Sequence, residues 1–184
     1  MPIWAVGSAR ADDVLCWHSV FAGAGIPRVP GGSTLGGRMP LSNDDVGFLS
    51  QNHSAAMITV GADGLAKAVR IGVALVDGKL WSSGTRDRVR TRRLRRDPRC
   101  TLFVFDAGYL WLALETTVEI LDGSDAADLN VSLFREMQGR PDGPLSWFGG
   151  EYDGAHFRQM MINEGRLIYE FDVQRSYGMA IPPP

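Results

Sequence analysis

Eight arginines crowd one short stretch of this chain. Arg86, Arg88, Arg90, Arg92, Arg93, Arg95, Arg96 and Arg99 follow directly on Ser82-Ser83-Gly84-Thr85, in a protein whose formal net charge is −2. A guanidinium never loses its charge and presents a planar fork of donors, so it grips an oxyanion at two points. A helix beginning here adds free backbone donors and a favourable dipole. The chemistry to expect is therefore anion binding, and it is local, because the molecule as a whole is slightly acidic. Read as a helix over Arg86 to Asp97, the run sets Arg86, Arg90 and Arg93 at i, i+4 and i+7 on one stripe beside Leu94. Arg92, Arg95, Arg96 and Arg99 have a plainer reading, a solvated face paired with surface acids.

Other chemistries find little support. Three histidines (His18, His53, His156) lack the spacing of metal ligands, and Cys16 and Cys100 are too few and too far apart for a zinc site or a disulfide framework. No metal is expected. No Ser-His-Asp set or carboxylate pair suggests hydrolysis, so no catalytic side chain is assigned. His156 and Tyr177 are the remaining proton-donor candidates, and a lone helical histidine is more often structural. Nucleic acid is not an expected partner, because no aromatic residues interleave with the arginines and the net charge is acidic. No run reaches the roughly 18 apolar residues of a membrane span. Asp12 and Asp13 precede the first apolar patch without a basic leader, so a cytoplasmic protein is expected.

The elements that must hold the arginines can be read in order. Residues 1–38 are broken by Gly and Pro and are expected to form a flexible extension, with a short helix over Asp13 to Ala22. Met39-Pro40 before a clean helix start also reads as an alternative beginning. Residues 39–184 form the expected domain. Ser42-x-x-Asp45 reads as a capping box for a helix reaching about Asn52. Strands follow at Ala55 to Val60, Ala66 to Val76 and Lys79 to Ser83, joined by the turns Ala62-Asp63-Gly64 and Asp77-Gly78. The arginine helix ends at Asp97-Pro98, since proline disfavours a helical residue before it. Further strands are expected at Cys100 to Phe105 and Tyr109 to Leu121, the second long enough to bend. Asp125 to Gln138 and Asp153 to Asn163 read as helices, Gly139 to Gly150 as a loop, and Arg166 to Val173 as the last strand. About six mostly antiparallel strands with interspersed short helices argue for a mainly β protein, a closed or partly closed barrel with helices at its mouth.

Two blocks carry a resemblance. They are RVRTRRLRRDPRCTLFV, Arg88 to Val104, and GRLIYEFDVQRSYGM, Gly165 to Met179. In this order they resemble the split β-barrel flavin-binding family related to pyridoxamine 5′-phosphate oxidase, and more closely its actinobacterial branch that uses the deazaflavin coenzyme F420. The resemblance implies that Ser83, Arg88 and Arg90, with Arg93 one turn on, hold the cofactor phosphate. It also implies that the ring rests along the second strand, against Val69, Arg70 and Ile71. Members usually carry Lys where this chain has Arg90. Gly72 in that strand reads either as close approach to a flat ligand or as a bend.

The expected function is that of an F420H2-dependent oxidoreductase, a reductase passing hydride to a small conjugated acceptor. The excess of arginine suits the carboxylate-rich tail of a deazaflavin better than the single phosphate of FMN. The alternatives are an FMN-dependent oxidoreductase of the same fold and a non-catalytic cofactor-binding protein. The resemblance further implies a homodimer with sites at the subunit interface. Trp81, Tyr109, Trp111, Trp147 and Phe148 read either as packing or as pocket walls, with Trp147 and Phe148 the better lid candidates because they sit in a Gly/Pro loop.

Overall fold

The computed structural model of the protein describes residues 41–180. The expectations for residues 1–38 and for Met39 lie outside the described residues. Helix α1 (Asn43–Gln51) starts at the capping box read from sequence: Ser42 Oγ accepts from the Asp45 amide at 3.1 Å, and Asp45 Oδ2 accepts from the Ser42 amide at 3.1 Å. Strands β1 (Ser54–Val60), β2 (Ala66–Gly72), β3 (Ala74–Val76) and β4 (Lys79–Thr85) follow. Helix α2 (Val89–Arg96) comes next, then β5 (Arg99–Phe105), β6 (Trp111–Leu121) and α3 (Ala126–Gln138). The short hairpin β7 (Leu145–Trp147) and β8 (Gly150–Tyr152), helix α4 (Gly154–Asn163) and strand β9 (Arg166–Met179) complete the described chain.

Seven strands form one antiparallel sheet in the order β2-β1-β5-β6-β9-β4-β3. The two edge strands, β2 and β3, are neighbours in the chain, separated only by Val73. Edges tied by one residue force the sheet to curl until they meet, so the barrel is closed covalently where it is not closed by strand pairing. This is a split β-barrel, mainly antiparallel, with four helices among the described residues. Its interior is apolar: Met57, Leu102, Val104, Leu112, Leu114, Leu167 and Tyr169 are nearly inaccessible. Helix α3 packs outside, with Leu133 against Ala74, Trp81 and Ile168.

Several boundaries depart from expectation. Among the described residues there are seven barrel strands and a separate two-stranded hairpin, where about six strands were expected. Gly72 ends β2 and splits the expected second strand. The Val73 amide donates to the His53 carbonyl at 3.0 Å instead of continuing the ladder. The residues 139–150, expected as loop, contain most of the hairpin, because Leu145 pairs with Tyr152 and Trp147 with Gly150. Strand β6 starts at Trp111, two residues late. Asp106 Oδ1 accepts from the amides of Gly108 and Leu110 at 2.8 and 3.0 Å and holds Tyr109 in the turn. The last strand runs to Met179, six residues beyond Val173, by pairing with Trp111 to Glu115 past a bulge at Glu115/Thr116. The extra residue there is Gln174, so the bulge lies in β9 and not in the long strand β6, of which a bend was expected.

Candidate functional site

The arginine segment is placed by its few uncharged residues. Strand β4 continues to Thr85, which pairs with Arg166, so the helix cannot begin before Arg88 turns the chain. Arg86 therefore lies outside α2, and the stripe expected from Arg86 through Arg90 to Arg93 is not formed on the helix. Thr91 and Leu94 are the buried residues of α2. Thr91 Oγ1 donates to the Thr85 carbonyl at 2.6 Å and lies 2.6 Å from Tyr169 Oη. The one Thr91 proton is used, so the Tyr169 hydroxyl is the donor in that second bond. The helix ends as proline requires, with Asp97 extended at φ −139° and ψ 106°.

The arginines then divide by their partners. Arg95 pairs with Asp122 at 2.6 Å and Arg99 with Asp97 at 2.8 Å. Arg86, Arg92 and Arg96 donate to the carbonyls of Asp122, Asp87 and Val60. The face read as solvated is thus bound half to carboxylates and half to carbonyls. The Arg99 guanidinium also holds the Asp97 carboxyl down to about 2. By contrast, no hydrogen bond or ion pair within the described residues involves the side chains of Arg88, Arg90 or Arg93. Arg90 is the sharpest case: its Nε is buried and has no acceptor.

Arg90 opens onto a cavity of about 370 Å³ shared with Arg70, Ile71 and Gly72 of β2, Ser83 of β4, Phe134 and Met137 of α3, Trp147 and Phe148 of the hairpin, and Arg166 of β9. The volume falls within the range of small-molecule sites. Ser83 Oγ donates to Asn130 Oδ1 at 2.5 Å and accepts from Arg166 Nη1 at 3.4 Å. Asn130, fully buried on α3, is anchored through its amide nitrogen to the Ala126 carbonyl at 2.8 Å. Arg166 is held on two sides, by Glu164 at 2.7 Å and by the Trp147 ring, 4.7 Å from guanidinium carbon to centroid. Trp147 in turn donates its indole N–H to Glu164 at 3.1 Å. Three guanidiniums thus line the cavity and only Arg166 touches a carboxylate, so the site is cationic and suited to an anionic ligand.

Of the residues implied by the resemblance, Ser83, Arg90, Arg70 and Ile71 meet in this cavity. Val69 is half-buried, packs against the barrel core and does not line the cavity. Arg88 is the exposed cap of α2. Arg93 lines a separate groove with Lys67, Val89, Arg92 and Arg96. Sequence reasoning missed Arg166, Asn130, Phe134 and Met137. Arg166 lies at the head of the quoted GRLIYEF block, and a charged residue opening a buried strand is the signal that was there to use. Gly72 lines the cavity and also marks a bend. A side chain added there meets the Met137 methyl group, so α3 fills the space that glycine leaves.

Other aromatics have other work. Trp81 is buried against α3 and donates to Glu170 at 2.9 Å. Trp111 stacks on Phe103 at 5.3 Å and meets the Tyr177 ring edge-on at 6.3 Å, on the outer face of the sheet. Tyr109 is exposed in its turn. His156 is bonded to Asp153, the residue that caps α4. A larger groove of about 570 Å³ between Leu75, Leu80 and Phe171 holds Lys79 already paired with Glu170 at 3.0 Å. It offers less to an anion than the smaller cavity does. No helix of the described residues is long and apolar enough to cross a membrane, and no group of three potential metal ligands occurs among them.

Residues 45–179 match the family model described as pyridoxamine 5′-phosphate oxidase. The chain belongs to that family. Among solved structures it is similar to a conserved hypothetical protein of Mycobacterium tuberculosis, with 18% identity, TM-score 0.59, and coverage of 83% of this chain and 96% of that one. It is similar to a protein titled F420 reductase, at 19% identity and TM-score 0.51, covering 71% and 94%. A Listeria innocua protein provisionally named a pyridoxamine 5′-phosphate oxidase matches at 12% identity and TM-score 0.52, covering 76% and 100%. These likenesses establish the fold. No curated protein matches the sequence.

Proposed function

We propose that this member of the pyridoxamine 5′-phosphate oxidase family is an F420H2-dependent oxidoreductase, which reduces a small conjugated organic acceptor. One observation carries the reading: the buried Arg90 Nε has no acceptor among the described residues, beside two further guanidiniums. A buried donor without a partner costs about 1–3 kcal/mol, which a ligand oxyanion would recover. The residues fit a phosphate-bearing cofactor on that ground. When bound, a reduced deazaflavin or flavin supplies the hydride.

The chain's own residues bind and orient. Arg90 meets the phosphate, and Arg70 adds positive charge from the β2 side. Ser83 has no proton to spare, since its hydroxyl is given to Asn130, so its role is to hold Arg166 and α3 in place. Ile71 and Gly72 give the cavity a flat apolar wall, and Phe134 and Met137 exclude water behind it. Arg88 and Arg93, without side-chain partners among the described residues, are available to the rest of an extended anionic cofactor, which favours the deazaflavin over FMN. The likeness to a protein titled F420 reductase adds support.

The working form in this reading is a homodimer with a small-molecule acceptor. Phe103, Phe105, Trp111, Tyr177 and Met179 lie on neighbouring strands, and the last two with Phe105 are more than a third exposed. A patch of this kind on a sheet face is suited to a second copy. The alternative is FMN dependence, which the family name favours. The deciding experiment is a fluorescence titration of the purified protein with each cofactor. Tight binding of FMN with none of F420 would replace the first reading by the second. Failure of the reduced complex to turn over any acceptor would leave a cofactor carrier.

A further inference from the structure

The hairpin at the cavity mouth breaks a local rule. Strands β7 and β8 are joined by a two-residue turn, Phe148-Gly149, with Trp147 paired to Gly150. Both turn residues have positive φ, 45° at Phe148 and 85° at Gly149. Such turns favour Asn-Gly or Asp-Gly, because glycine, asparagine and aspartate tolerate the left-handed region and a bulky side chain does not. A phenylalanine here is strained, and it recovers little by burial, being 90% exposed. Its ring meets the Trp147 ring at 4.6 Å and 70°, and it lines the same cavity as Arg90 and Gly72. Trp147 is fixed from behind by Phe134 at 5.0 Å, by Glu164 and by Arg166. A rigid indole thus presents an exposed, strained aromatic ring at the mouth of a cationic cavity. Strain at an exposed position, held by an ordered support, is a mark of function more than of folding.

We propose that Phe148 is the specificity-determining contact for the acceptor, and that it takes a flat, uncharged conjugated ring by stacking. The proposal deepens the oxidoreductase reading and rests on it. The division of labour follows from the charges: the guanidiniums of Arg70, Arg90 and Arg166 serve an anionic cofactor, while Phe148 at the rim offers only π surface and apolar area. An acceptor selected there is planar and apolar, and a compact aliphatic acceptor gains nothing from it.

The test uses menadione, a flat uncharged quinone, in equilibrium dialysis against the wild-type chain, Phe148→Asn, Phe148→Ala and Phe148→Trp, each with and without saturating F420 and FMN. Menadione binding to Phe148→Asn and Phe148→Ala should weaken about tenfold, with Phe148→Trp near wild type. Cofactor affinity should change less than about twofold. Because asparagine suits the turn, Phe148→Asn should melt no lower than wild type. Equal menadione binding by all four proteins, or none by wild type, overturns the proposal. So does weakened cofactor binding with menadione unaffected. A lower melting temperature for Phe148→Asn, or loss of dimer by gel filtration without loss of menadione, would assign Phe148 to the fold or the subunit contact. If neither cofactor binds wild type, the oxidoreductase reading fails by itself, and the menadione series still decides whether Phe148 receives a flat ring.

Discussion

The hydroxyl of Tyr169 lies 2.6 Å from Thr91 Oγ1, and through it the inner wall of the barrel holds the arginine helix. Tyr169 is fully buried in β9, and Gly84 on the facing strand β4 has no side chain because the tyrosine ring occupies that space. Arg90 is the residue before Thr91. A bond deep in the core therefore fixes the position of the cation that the proposed function depends on.

Tyr169→Phe keeps the ring and removes the donor. Thr91 still donates to the Thr85 carbonyl, so one net hydrogen bond is lost, and urea unfolding should show a destabilisation of about 0.5–1.5 kcal/mol. Cofactor affinity should fall as well, since α2 loses its second anchor. Gly84→Ala should be more damaging, because the new methyl group drives into a ring with no room to move.

Arg90→Ala should weaken cofactor binding by about 1–3 kcal/mol in fluorescence titration. Arg95→Ala removes a half-exposed pair with Asp122 and should leave cofactor affinity within about 0.5 kcal/mol of wild type. Equal losses in both variants would reduce the effect to general positive charge.

Ser83→Ala leaves the fully buried Asn130 with an unpaired carbonyl oxygen and removes one contact of Arg166. The expected cost is about 1–3 kcal/mol of stability, measured by denaturant unfolding. Ser83→Thr keeps the hydroxyl and should recover part of it.

Cys100 is buried in β5, where burial pushes its thiol up from 9.0 to about 11 against an opposing hydrogen bond with Thr116. A folded pKa above the unfolded one means full stability below about pH 9, lost as pH rises toward 11. Two pH units bound the loss at about 3 kcal/mol. Cys100→Ala should flatten this alkaline decline in melting temperature, and in a Cys16→Ser background the native thiol should resist alkylation at neutral pH.

Much of the frame was legible in sequence because its signals are local. Ser42 and Asp45 cap α1 through their own neighbours, Asp77 and Gly78 adopt positive φ as a tight hairpin requires, and Asp97-Pro98 ends α2 by a clash with the adjacent residue. The choice among the arginines was not legible in that way. Arg90 and Arg95 are the same residue type five positions apart in one run. Arg95 finds Asp122, 27 residues away, while Arg90 is turned inward beside Ser83 because Thr91 and Leu94 choose which face of the helix is buried. Arg166 came into the site only when β9 paired with β4, bringing it 3.4 Å from a serine 83 residues earlier. Composition and spacing by themselves pointed to a barrel and to a local cluster of cations. Which guanidiniums keep their donors free was decided by strand pairing and core packing, since both act between residues distant in the chain.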